Sequence, residues 1–266
     1  SSVREEVEKM LEAGASDAGS GYPLRGLRVI DFGVGAVGVE AARLLAEYGA
    51  EVIKIECSNS PDFIRVIMSS YMNPSFASSS RSKQSFGVDV KTEKGKELVR
   101  RLVTDADVVI ENNGTGATER MGFGPEALRA MNPGIVSFSS QMVGSYGPWK
   151  DWIGYGPNTH PVSGLQFLWN YPEDEEIPAG STAVYPDHFV GRIGAMALLA
   201  GLMIFPIVFA VGLDPAAGPT LVFQTLPFAF QTMPGGALIG FLFFTLILVA
   251  AVTSSISLLE VPTAWG

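Results

Sequence analysis

The stretch RVIDFGVGAVGVEAARLLAEYGAEVIKIE, residues 28–56, constrains this chain more than any other. Val29 and Ile30 open an apolar run suited to a buried strand. Gly33, Gly35 and Gly38 follow as G-x-G-x-x-G, then comes a helical pattern, and a second apolar run ends on Glu56. Strand, glycine turn, helix and strand in that order predict a right-handed βαβ unit and hence a parallel sheet. The glycines permit close backbone approach, and a helix N-terminus behind them offers N–H donors and a positive dipole end to a pyrophosphate. Glu56 stands where a dinucleotide ribose would be met, which makes NAD the first ligand to consider. Asp31, two positions before Gly33, sets a carboxylate close to where a dinucleotide phosphate would sit.

The alternation continues. Strands are expected near Leu27–Phe32, Glu51–Glu56, Asp107–Glu111 and Ile135–Ser139, and helices near Val39–Tyr48, Thr92–Thr104 and Pro125–Met131. The fold class is therefore α/β, a Rossmann-like, mainly parallel sheet with flanking helices. Residues 57–85, rich in Ser and Asn, read as irregular and positioned to cover something. The N-terminal SSVREEVEKMLEAG reads as a short amphipathic helix without signal-peptide order, followed by a small-residue linker to residue 21.

Charge divides the chain sharply. All 18 Lys and Arg lie at or before Arg192, whereas Ile193–Gly266 carries only Asp214 and Glu260. Up to Arg192 acidic side chains outnumber basic ones, which argues against a nucleic-acid partner. The single Cys57 excludes an intramolecular disulfide, and two well-separated histidines offer no metal cluster. A cytoplasmic setting is compatible with residues 1–192.

The blocks YPLRGLRVIDFG, LLAEYGAEVIKIE, SRSKQSFGVDVKTEKGKELVRRLVTDADVVIENNGTGATERMGFG, GSYGPWKDWIGYGPN and YPDHFVGRIGAMALLAGL follow one another as in class III CoA-transferases. The resemblance covers about residues 22–200. It implies coenzyme A rather than NAD at the glycine turn, with Gly35, Gly38, Asn112 and Arg120 meeting the nucleotide and its phosphates. It also implies acyl-CoA and carboxylic acid substrates, no metal, and an interlocked homodimer once the rest of the large domain and a small domain are supplied. Ala36 and Cys57 depart from the family pattern, where a polar residue and an arginine can occur.

By the same resemblance Asp187 is the catalytic carboxylate. It would attack an acyl-CoA thioester, receive CoA as an aspartyl thioester, and hand it to an acceptor acid. Its place before a helical run predicts an ionised side chain at neutral pH. Adjacent His188 points about 100° away on a helix and need not share the site. The related acyl-CoA racemases use a histidine with the aspartate, but Tyr155 stands at that position here and His160 lies five residues later, which favours the transferase. Tyr155 and Asn158 are candidate substrate contacts.

Beyond this part, Ile193–Val211 and Gly235–Leu259 are uncharged and long enough to cross a bilayer, predicting an all-α apolar segment and membrane association through residues 193–266. Residues 201–266 resemble a fragment of the neurotransmitter:sodium symporters. Ala250, Thr253 and Ser254 would then be sodium ligands, had the partner helices been present. The absence of a polar linker between Ala195 and Met203 suggests a chimeric join within one helix.

Overall fold

The computed structural model describes residues 21–67, 72–169, 171, 173, 185–210, 226–232 and 235–245. The described residues fall into two compact units divided between Leu198 and Leu199. The expected N-terminal helix and the sodium-ligand candidates Ala250, Thr253 and Ser254 lie outside the described residues.

The first unit is built on five parallel strands: β1 (Arg28–Asp31), β2 (Glu51–Glu56), β3 (Gln84–Gly87), β4 (Val108–Glu111) and β5 (Val136–Ser139). Their order is β3-β2-β1-β4-β5. Register runs Ile30 opposite Ile53 on one side and Val109 on the other, so three β-branched residues stack across the sheet centre. Their face packs with Phe32, Val99, Val103, Phe123 and Leu128 into one core. Side-chain alternation sends Val29 and Asp31 to the opposite face.

The connecting helices follow the sequence's punctuation. Helix α1 (Val37–Glu47) returns from β1 to β2 and buries Val39, Ala42 and Leu45. Two short helices, α2 (Phe63–Ile67) and α3 (Pro74–Ser80), occupy the stretch expected to be irregular. Asn73 starts α3 by accepting the Phe76 amide at 2.9 Å. Helix α4 (Glu93–Thr104) is capped by Thr92, whose hydroxyl accepts the Gly95 amide at 3.0 Å. After β4 come α5 (Ala117–Met121) and α6 (Pro125–Met131), and after β5 come α7 (Gly156–Val162) and α8 (Leu165–Trp169).

Helix α9 (Tyr185–Ala210) begins in the first unit. Its opening turns approach the sheet layer through glycines. A Cβ on Gly191 would lie 2.7 Å from Glu40 Cβ, and one on Gly194 would meet the Phe138 ring. Tyr185–Ile204 is, among the described residues, the helix long and apolar enough to cross a membrane by length and composition. Its first turns nevertheless carry Asp187 and His188 and pack on α1, so the polar-to-apolar change falls within one helix. In the second unit, α10 (Leu226–Thr232) contributes Phe230, whose ring meets Phe243 at 5.5 Å from the helix Gly236–Thr245. That helix is shorter than the expected 235–259 span over its described part.

Candidate functional site

In doubly wound sheets the crevice beyond the carboxyl ends of the strands, where strand order reverses, is the usual ligand position. Here the reversal lies between β1 and β4. Val34 after β1, Asn112 after β4 and Gln141 after β5 line a cavity of about 270 Å³. Trp152, Tyr155 and the α9 residues Asp187 and Val190 form other walls. A second cavity, of about 1110 Å³, is lined from α2, α3, α7 and the start of α9. Ala36, Phe63, Tyr155, Gly156 and Asp187 border both.

Asp187 is the third residue of α9 and only partly solvated. Its carboxylate has no hydrogen-bond partner among the described residues. Burial pushes its pKa above the ordinary 3.8, and the neighbouring His188 pulls it back down. A helix start alone predicts an easily ionised carboxylate, but burial acts in the other direction and outweighs the pull of His188. His188 turns toward α1, with Nδ1 3.4 Å from Glu40 Oε1. Tyr185, one turn edge earlier, stacks on buried His160 at 5.1 Å, and Trp169 meets the same imidazole edge-on at 5.1 Å. His160 therefore braces the start of α9 from inside an aromatic cluster and lines neither cavity.

The glycine turn uses its amides differently from a phosphate cradle. Gly33 N–H donates to Asp31 Oδ1 at 2.7 Å, Val34 N–H to Asn112 Oδ1 at 2.9 Å, and Gly35 N–H to Asp62 Oδ1 at 3.0 Å. Asn112 also donates to the Val34 carbonyl at 2.8 Å, so its carboxamide is engaged in both senses. Lys54 Nζ donates to the Gly33 carbonyl at 2.6 Å. Lys83 Nζ donates to Asp31 Oδ2 at 2.8 Å and to the Val39 carbonyl at 2.7 Å. Burial lowers the Lys83 pKa, with Asp31 opposing that shift. Three consecutive turn amides are thus satisfied within the protein.

Gly35 has φ +71°, and a side chain there would strike the Phe63 ring. Gly38 faces Asn112, whose Oδ1 lies 2.8 Å from the position a Cβ would take. Gly35 borders the larger cavity and Gly38 neither. Tyr155, 57 % exposed, touches Phe63 edge-on and borders both cavities. Asn158 borders the larger one, with Oδ1 accepting the Tyr155 amide at 2.9 Å. Arg120, on α5, is exposed and lines neither cavity, its guanidinium beside Gly116. The structure thus brings Asp187, Tyr155 and Asn112 to one cavity and leaves Arg120 outside it.

Sequence reasoning missed the loop after β5. Ser140, Gln141 and Met142 line the smaller cavity, and Gln141 Nε2 donates to buried Glu111 at 2.9 Å. Glu111 also accepts from the Ser139 hydroxyl and from the Asn113 amide at 2.7 Å. Position beyond a strand's carboxyl end is the signal that would have found them. Among the described residues no group of His, Cys, Asp and Glu is arranged to hold a metal ion.

Residues 24–204 match the family described as CoA-transferase family III. The chain is 38% identical over 191 residues to a Mycobacterium tuberculosis protein named Probable CoA-transferase Rv1866, covering 69% of this chain and 24% of that one. It is 33% identical to the Succinyl-CoA--L-malate CoA-transferase alpha subunit of Chloroflexus aurantiacus, over 68% of this chain and 43% of the relative. Among solved structures, Rv3272 from Mycobacterium tuberculosis superposes with a TM-score of 0.63 at 32% identity, covering 69% of this chain and 51% of that one. A CAIB/BAIF family protein from Brucella suis gives 0.61 at 30% identity, covering 68% and 49%. The chain therefore spans about half or less of the length of the relatives it matches. On the family match, with the parallel sheet and the cavities at its carboxyl edge, the chain belongs to CoA-transferase family III.

Proposed function

We propose that the chain carries the nucleophile-bearing part of an enzyme that moves coenzyme A from an acyl-CoA to a carboxylic acid. One observation carries the reading: Asp187 borders both cavities with a carboxylate that no neighbour hydrogen-bonds among the described residues. The lining residues of the smaller cavity are neutral apart from Asp187, which suits an uncharged pantetheine arm. Exposed Arg120 is available to a phosphate outside it, by permanent charge and a planar fork of donors.

In this reading an Asp187 oxygen attacks the thioester carbonyl carbon, the C–S bond breaks, and a mixed anhydride and CoA thiolate result. The thiolate attacks the aspartyl carbonyl, releasing the donor acid and leaving an aspartyl–CoA thioester. An acceptor carboxylate attacks that thioester, expelling thiolate again. The thiolate then takes the acceptor's acyl carbon and returns the Asp187 carboxylate. Neither water nor an external oxidant enters the balance, and keeping water out preserves the thioester. Partial burial of Asp187 raises its pKa and with it the basicity of the attacking oxygen, and the neighbouring His188 opposes that shift.

The test is trapping. The chain, alone and with the C-terminal part of a relative, is treated with acyl-CoA and hydroxylamine, and peptides are mapped by mass spectrometry. A hydroxamate at Asp187, absent in Asp187→Asn, is expected; labelling confined to another carboxylate would reject the assignment. The relatives named as acting on succinyl-CoA support the reaction class. An interlocked homodimer and a cytoplasmic setting remain part of the proposal. Residues 201–266 as foreign, symporter-like sequence is a further one, tested by single-molecule reads of the source DNA across the codons for Ala195–Met203.

A further inference from the structure

We propose that the larger cavity receives the hydrocarbon of an uncharged acyl group, so that this chain selects bulky monocarboxylic acyl-CoA thioesters over dicarboxylic ones. The inference rests on the CoA reading above and concerns the same site. A thioester with its sulfur in the smaller cavity and its carbonyl at Asp187 has the second cavity open to its acyl group, because Asp187, Phe63 and Tyr155 border both. That cavity, about 1110 Å³, is at the large end of ligand sites. Phe63, Ile64, Ile67, Pro74, Pro157 and Tyr185 supply apolar walls, and Ile67 is 64 % exposed.

The polar lining is largely engaged elsewhere. Ser79 Oγ donates to the Phe76 carbonyl at 3.3 Å, Ser78 accepts Arg81 at 2.9 Å through its carbonyl, and Asn158 Oδ1 holds the Tyr155 amide. No Lys or Arg is found among the described lining residues. The nearby guanidiniums already face carboxylates, Arg65 on Glu56 at 2.8 Å and Arg81 on Glu47. His188, the one lining residue able to carry positive charge, sits 3.4 Å from Glu40. A distal carboxylate in this space would find no Lys or Arg to pair with and would be held near the like charge of Asp187. A methylene chain meets neither penalty and gains roughly fourfold in affinity per buried CH2.

The experiment is equilibrium binding of the full chain to three unreactive probes: CoA, S-octyl-CoA and S-(3-carboxypropyl)-CoA. Octyl binding at least tenfold tighter than CoA, with the carboxypropyl probe no tighter than CoA, is the expected result. Ile64→Trp, or Ser78→Trp on the exposed opposite wall should the first not fold, should reduce the octyl advantage below threefold. Failure of all three probes to bind rejects the CoA reading itself. CoA binding with no octyl advantage, a carboxypropyl preference, or an advantage indifferent to both tryptophans overturns the acyl-pocket inference and leaves the CoA reading standing.

Discussion

Glu40 of α1 and His188 of α9 face each other with Oε1 3.4 Å from Nδ1, so the residue following the candidate nucleophile is fastened to the helix that follows the glycine turn. Glu40 is buried and also accepts both Nε and Nη2 of Arg43, at 2.8 and 2.5 Å. Burial pushes its pKa up, but Arg43 and then His188 outweigh it and hold the group below 4.5. A depressed carboxylate contributes stability that is full above its unfolded pKa and is lost as pH falls through the folded one. Acid unfolding should therefore steepen below about pH 4.5 in the native chain. Glu40→Gln should lose about 3 kcal/mol at neutral pH and show a shallower acid limb, read by urea titrations at several pH values.

Asp187 should behave in the opposite way. Its pKa is raised, so the folded state is penalised wherever the group is ionised in both states, and the penalty fades as pH falls through the folded pKa toward 3.8. Asp187→Asn is expected to be more stable than the native chain at pH 7 by at most about 1 kcal/mol, since the carboxylate keeps part of its solvent. The gain should vanish near pH 4. A variant that is less stable at pH 7 would contradict this balance.

Asn112→Ala removes both hydrogen bonds that hold Val34, leaving a turn N–H and C=O to find other partners. A stability loss of about 2 kcal/mol is expected without any ligand present. Arg120→Ala should leave stability unchanged and weaken CoA binding by about 1.5–3 kcal/mol, the range for a hydrogen bond to a charged group. Thermal melts beside CoA titrations separate the two roles; a stable Asn112→Ala chain would return that side chain to a purely ligand-facing one.

Gly191→Ala sets two effects against each other. Helix propensity favours alanine by about 1 kcal/mol, but its Cβ would lie 2.9 Å from the Val37 carbonyl oxygen and 2.7 Å from Glu40 Cβ. Backbone cannot swing aside as a side-chain tip can, so overpacking of about 1–3 kcal/mol should win. Urea midpoints of the two chains decide it, and an unchanged midpoint would mean that α9 moves freely on α1.

Lys83→Met takes the cation from Asp31, a fully buried carboxylate on the face under α1 that then keeps only the Gly33 amide as a hydrogen-bond donor among the described residues. Removing one member of such a pair is expected to cost about 3–5 kcal/mol. The double change Lys83→Met with Asp31→Leu should recover part of the loss, which chemical denaturation of all three variants would test.

Four of the five strands are legible in the sequence because each carries a β-branched or apolar run between turn residues. Strand β3 is not. Gln84–Gly87 has Phe86 as its one large apolar residue and pairs only with β2 along the sheet edge, so its identity rests on the register Ile53 opposite Gln84. Asp187 and Tyr155 are recognisable by order of motifs, and both line the smaller cavity. The fate of the turn amides is hidden from any local reading, because Asn112 and Asp62 arrive from 78 and 27 residues away. G-x-G-x-x-G states where a backbone can come close, not which acceptor reaches it.

Those distances bear on how a growing chain assembles. When Val34 is added to the growing chain its acceptor is still 78 residues from being made, and the lysine that steadies Asp31 is 52 residues behind it. Until β4 is in place, Val34 has no Asn112 to bind, and the turn cannot hold its final shape. Loop closure over that separation comes late, after the local helices have formed. The first βαβ unit should therefore remain open to proteolysis at Gly33–Gly38 in released chains ending before Asn112, and be protected in released chains that extend beyond β4 and include that residue.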